Sequence, residues 1–220
     1  SVLNQMRREC IDILNEERIP VKNRKYKNEK VVYNPQKVDR NKDTKIRVKV
    51  RNIEQLQEVL NFDVDMIYYE TLSTLEEALR LAKASNKKLV YSAPRIIRNK
   101  EYKRLEKVKN LNQEDIQIGT LGSIRYFENK KYHVDYYLNA FNSETINYFK
   151  EEGADSVCIS QELNMSEIKE TLSYTDVDIE SVVYGYTPMM ITEYCPMGVV
   201  VRECKKDKRC GICKESRYAL

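Results

Sequence analysis

The chain has 220 residues, 38 lysines and arginines against 34 aspartates and glutamates, and 41% hydrophobic residues. That length suits one large or two small domains, and the apolar fraction is enough for a core, which excludes a disordered chain. No run approaches the ~18 apolar residues of a membrane-spanning helix and no secretory leader is visible, so a soluble, cytoplasmic protein is expected. Because the chain starts at Ser1 rather than Met, it is expected to be a piece of a longer protein.

In chain order, residues 3–19 place Leu3, Met6, Cys10, Ile11 and Leu14 at helical spacing and predict a helix. Between Lys22 and Arg51 twelve basic residues stand against three acidic ones, the pattern of a phosphate-binding segment or of a solvated linker. With no sustained period and with Asn34-Pro35 inside it, the segment to about Asp43 reads as a linker.

From Lys45 onward a unit repeats. Strand-like runs (IRVKV, VDMIYY, KLVYSAP, IQIGTLG, HVDYYLNAF, SVCIS, ESVVYGY) alternate with helical patterns such as NIEQLQEVLN, TLEEALRLAKASN and NSETINYFKEEGA. Alternation of this kind predicts parallel strands with crossover helices, and seven such strands favour an incomplete eight-stranded β/α barrel over a flavodoxin-like open sheet. The expected strand core includes Ile46, Val48, Ile67, Leu89, Ile118, Val134, Val157 and Val183. The division is therefore residues 1–44, helix and basic linker; 45–191, α/β barrel-like domain; and 192–220, a cysteine-rich segment.

In such a barrel, function gathers where strands end and βα loops begin. Tyr69 and Glu70 follow the second strand, Arg95 the third, Asn139 and Asn142 the fifth and Glu162 the sixth, while Tyr184 and Tyr186 lie on the seventh. Arg95, with its planar fork, suits an anionic group. Asn142 has a second reading, since NSE before an apolar run is a good helix start.

The last strand is followed by Cys195, Cys204, Cys210 and Cys213, four of the six cysteines within nineteen residues, flanked by Lys205, Lys206, Lys208 and Arg209. Neighbouring cations favour thiolates, and clustered thiolates favour a bound metal; zinc and iron-sulfur both accept four cysteines. The run Glu180 to Cys195, together with YLNAFNS, ISQELN, APRI and CGICKESRYAL, resembles peptidase family U-32, the collagenase-like proteases, over nearly all of the chain from Lys45. Glu180, Gly185 and Cys195 stand where the family signature places them. Val182, Tyr186, Thr187 and Pro188 depart from it, Pro188 at the first cysteine position, which implies a divergent or accessory copy of the domain.

The resemblance implies two kinds of activity, proteolysis or iron-sulfur-dependent hydroxylation of RNA bases. The residues equip the first poorly: His133 is the sole histidine, HExxH is absent, and a carboxylate pair such as Glu70 and Glu162 is the remaining device. For the second, Glu70, Arg95 and Glu162 are the catalytic candidates and Asn139, Asn142, Tyr184 and Tyr186 the substrate-binding ones. Cys195, Cys204, Cys210 and Cys213 would hold a four-iron four-sulfur cluster, with zinc as a substitute. Transfer or ribosomal RNA is the expected partner, alongside an N-terminal half of the same protein. A non-catalytic domain that docks RNA or a partner is the third class.

Overall fold

The computed structural model describes residues 1–18, 36–39, 43–99, 101–111 and 114–191. The cysteine-rich segment and most of the expected linker lie outside the described residues. Two units are formed, Ser1–Gln36 and Lys37–Leu220.

The first unit carries the expected helix, α1 (Val2–Arg18), with Arg18 in its last turn complementing the helix dipole and none of its residues buried. No helix among the described residues is long and apolar enough to cross a membrane.

The second unit is a sheet of seven strands, β1 (Arg47–Val50), β2 (Met66–Tyr69), β3 (Leu89–Ser92), β4 (Asp115–Ile118), β5 (Lys131–Val134), β6 (Ala154–Cys158) and β7 (Asp178–Glu180). Neighbours in sequence are neighbours in space, β1 to β7, and every pair is parallel. Helices cross between them: α2 (Ile53–Val59), α3 (Leu75–Ala84), α4 (Tyr102–Asn110), α5 (Gly122–Tyr126), α6 (Ser143–Glu151) and α7 (Met165–Leu172). This unbroken order has no switch point, so it is the barrel-like arrangement and not the flavodoxin one. The sheet curls into a partial barrel: the Arg47 side chain on β1 reaches Ser156 on β6 and Glu180 on β7.

Local chemistry explains where the helices begin. Asn52, Asn142 and Asn164 each accept a backbone N–H at the start of α2, α6 and α7. At α7 Glu167 also accepts from the Asn164 N–H, completing a capping box.

Side chains alternate across the strands. On the helix side, Ile67, Tyr69, Tyr91, Ile116, Ile118, Val134, Val157 and Ile159 pack with Leu56, Leu75, Leu105, Val108, Ile146 and Phe149 into one buried core. Of the expected core residues, Ile67, Leu89, Ile118, Val134 and Val157 are buried there and Val48 packs against it.

Two expectations fail. Ile46 precedes β1 and is 58% exposed, and Val183 is 92% exposed because the seventh strand is Asp178–Glu180 rather than the β-branched run after it. Val177 and Ile179 face the core, while Glu180, on the opposite face, meets Arg47. Only that register satisfies both sides of the strand.

Candidate functional site

The inner face of the curled sheet carries Arg47 and Lys49 on β1, Tyr68 on β2, Ser92 on β3, Asp115 and Gln117 on β4, His133 on β5, Ser156 and Cys158 on β6 and Glu180 on β7. Parallel strands covered on both sides are usually apolar on both; this interior is charged, and its charges are paired. Arg47 Nη1 donates to Glu180 Oε1, to Ser156 Oγ at 2.8 Å and to Tyr68 Oη at 3.1 Å. Burial opposes the Arg47 charge, yet Glu180 and Tyr68 outweigh it and raise its pKa. Burial and then Glu180 raise the Tyr68 phenol, which stays neutral.

His133 is the third residue of its strand and is buried in this interior. Its Nδ1 lies 2.6 Å from Ser156 Oγ and its Nε2 3.4 Å from Asp115 Oδ2. The sequence of groups Ser156, His133, Asp115 has the composition of a hydrolase triad but not its function. Ser156 is 0% exposed, and its hydroxyl already donates to Glu180 and accepts from Arg47. An acyl carbonyl has no path to an oxygen so enclosed.

At the carboxyl ends of the strands a second cluster forms. Lys49 Nζ reaches Asp135 Oδ2 at 2.6 Å and Glu70 Oε1 at 3.7 Å, and Glu70 also accepts from Arg51 Nε at 2.7 Å. Tyr136 and Tyr137 follow Asp135, with their rings 5.8 and 5.6 Å from Lys49 Nζ and 4.3 Å from each other. The Arg95 guanidinium lies 5.1 Å from the centre of the Tyr137 ring, a cation–π contact. Gly119, at the end of β4, permits this approach: a Cβ there would stand 3.2 Å from both Arg95 Cα and Tyr137 Cδ2.

Asp135 is the anomaly in this cluster. It is buried, its Oδ1 has no hydrogen-bond partner, and burial raises its pKa against the pull of Lys49. A buried acceptor without a donor is costly, on the order of 1–3 kcal/mol.

The expected site residues divide. Glu70 and Arg95 join the cluster through Lys49 and Tyr137. Asn139 closes the turn Tyr136–Leu138 in the left-handed conformation, φ 49°, and is exposed. Asn142 caps α6, its Oδ1 accepting from the Thr145 N–H at 2.9 Å, the second of its two readings.

Glu162 is exposed, its backbone N–H donating to Ser160 Oγ. Among the described residues no hydrogen bond or ion pair joins it to Glu70, and Glu70 is held by two cations, so these acids do not form a proton-sharing pair. Tyr184 and Tyr186 are 97% and 105% exposed. Cys195, Cys204, Cys210 and Cys213 lie outside the described residues.

Lys49, Asp135, Tyr136 and Tyr137 were not among the expected site residues. Their signal was present: Asp135 sits immediately after β5, the position at which this architecture places functional groups.

A parallel β/α barrel-like domain with a charged interior and a cationic, aromatic mouth is the class these observations define. Residues 51–218 match the model of peptidase family U32, and the chain belongs to that family. Among solved structures, one described as the U32 peptidase Mk0906 superposes with a TM-score of 0.54 at 13% identity, covering 67% of this chain and 72% of that one. At that identity the likeness speaks for the fold. No curated protein matches the chain.

Proposed function

We propose that this U32 domain holds an RNA base at the mouth of its barrel, in support of iron-sulfur-dependent base hydroxylation. The observation that carries the reading is the half-buried aromatic pair Tyr136 and Tyr137, 4.3 Å apart, with the Lys49 ammonium and the Arg95 guanidinium against it. Unstacked RNA bases are held on aromatic side chains at about 1–3 kcal/mol each. Arg95, at the outer side of Tyr137, suits a flanking phosphate.

The donor set Cys195, Cys204, Cys210 and Cys213, four thiolates, fits a four-iron four-sulfur cluster and also zinc. When bound, the cluster supplies the redox chemistry that the described residues lack. The remainder of a longer chain is the natural partner for an accessory half of this kind.

The test is fluorescence anisotropy of labelled transfer RNA and ribosomal RNA fragments across a salt series. Binding is expected to weaken steeply with salt. At fixed salt Tyr136→Ala and Tyr137→Ala are each expected to weaken it about tenfold. RNA binding that is absent, or unchanged in both variants, overturns the proposal. So does cleavage of gelatin or casein that is lost in Glu70→Gln or Glu162→Gln, which would establish the peptidase activity.

A further inference from the structure

At the opposite end of the strands, Asp115 opens β4, His133 lies on β5 and Asp155 is the second residue of β6. One ligand atom from each, the imidazole nitrogen and a carboxylate oxygen of each aspartate, lie within 4.8 Å of one another. Proximity alone would mean little, but the hydrogen bonds of Ser156 determine what His133 offers. A serine hydroxyl has one proton, and that of Ser156 goes to Glu180 Oε1, while Arg47 Nη1 donates to the oxygen at 2.8 Å. The 2.6 Å contact with His133 Nδ1 therefore uses a proton carried by the ring. A neutral imidazole with its proton on Nδ1 leaves the Nε2 lone pair bare, and that lone pair faces Asp115 Oδ2 at 3.4 Å.

Three ligand atoms thus converge, the imidazole nitrogen and an oxygen of each aspartate. The cation now beside them is Lys88, whose ammonium contacts Asp115 Oδ2 from a side chain 51% exposed. A metal-bound histidine almost always donates its second ring N–H to a fixed acceptor, the role Ser156 fills here, and imidazole with carboxylates suits the harder first-row divalent ions. We propose that Asp115, His133 and Asp155 form a divalent cation site at the amino ends of β4, β5 and β6. His133 Nε2 and one oxygen of each aspartate are the protein ligands, water completes the coordination, and Lys88 swings away to solvent. Such a site would tie three neighbouring strands together at the end of the barrel remote from the mouth, and it is independent of the cysteines.

Manganese(II) titrated into the full chain and followed by electron paramagnetic resonance tests this, because the aqueous ion's signal is lost on binding and thiolates prefer softer metals. One ion per chain is expected, with a rise in melting temperature. Asp155→Asn changes an exposed ligand and is expected to weaken binding at least tenfold and abolish the thermal shift. Lys88→Met is expected to tighten binding several-fold by freeing Asp115. The proposal is overturned if the wild-type chain binds no manganese, if Asp155→Asn binds it as well as wild type, or if Lys88→Met weakens binding.

Discussion

Replacing Arg47 by alanine should be among the most damaging single changes available in the barrel. Its guanidinium holds Glu180, Ser156 and Tyr68 together, and the two charged side chains are only 14% and 13% exposed. Without it the Glu180 carboxylate remains in the interior with two hydroxyls and no cation, a loss of about 3–5 kcal/mol. For a domain of this size that corresponds to a fall in melting temperature of roughly 6–15 °C. Glu180→Gln keeps an acceptor for Arg47 but leaves the guanidinium without its counter-charge, and should cost a similar ~3–5 kcal/mol. A paired change, Arg47→Met with Glu180→Leu, removes both charges for groups of similar volume and should recover most of the loss. Urea unfolding followed by circular dichroism measures all three, and the single variants Arg47→Met and Glu180→Leu close the double-mutant cycle that isolates the coupling. If Arg47→Ala costs under ~1 kcal/mol, or if the paired variant loses the sum of the single changes, the crosspiece is not what holds β1 to β7.

Asn164→Ala removes both halves of the α7 capping box and should lower stability by about 1 kcal/mol, read from the urea midpoint. Gly119→Ala places a methyl 3.2 Å from Arg95 Cα and Tyr137 Cδ2. Stability should fall by about 1–3 kcal/mol, and in the anisotropy assay RNA affinity should fall with it as the Arg95–Tyr137 stack shifts. Cys158 is buried, and burial raises its thiol pKa, so it stays protonated at neutral pH. Iodoacetamide mapping by mass spectrometry should label exposed Cys10 readily in the native chain and Cys158 only after unfolding.

The β/α alternation was legible because each repeat pairs a β-branched run with a capped helical pattern, as in SVCIS followed by NMSEIKETL. What the strand runs concealed was their parity. Arg47, Lys49, Asp115, Gln117, His133 and Glu180 alternate with Val48, Val50, Ile116, Ile118, Val134 and Ile179, a two-residue period that betrays a polar interior. The general tendency of parallel strands to be apolar on both faces hides that signal. The same period would have located β7, where Val177 and Ile179 alternate with Asp178 and Glu180, ahead of the more strand-like Val182 and Val183. At the mouth, Glu70 and Arg95 hold the position after a strand, and the structure places them beside Lys49 and Tyr137. Asn142 shared that position for a purely local reason, the N-cap of α6. Asp135 escaped because its importance lies in a lone oxygen without a donor, which no spacing records.

The charged crosspieces also bear on how this chain comes into being. Lys49 meets its counterion 86 positions later and Arg47 meets Glu180 only after 133. During synthesis from the amino end, Lys49 can meet Glu70 as soon as β2 is made, but Asp135 and Glu180, the counterions that Lys49 and Arg47 reach across the barrel, come only after β4. Apolar packing of α2 and α3 against β1 to β3 can begin early, but curvature must wait for the last strand. The nascent barrel is thus obliged to remain an open, solvated sheet until the chain is nearly complete. Closure of the barrel, which rests on contacts this distant in sequence, is expected to come late in folding.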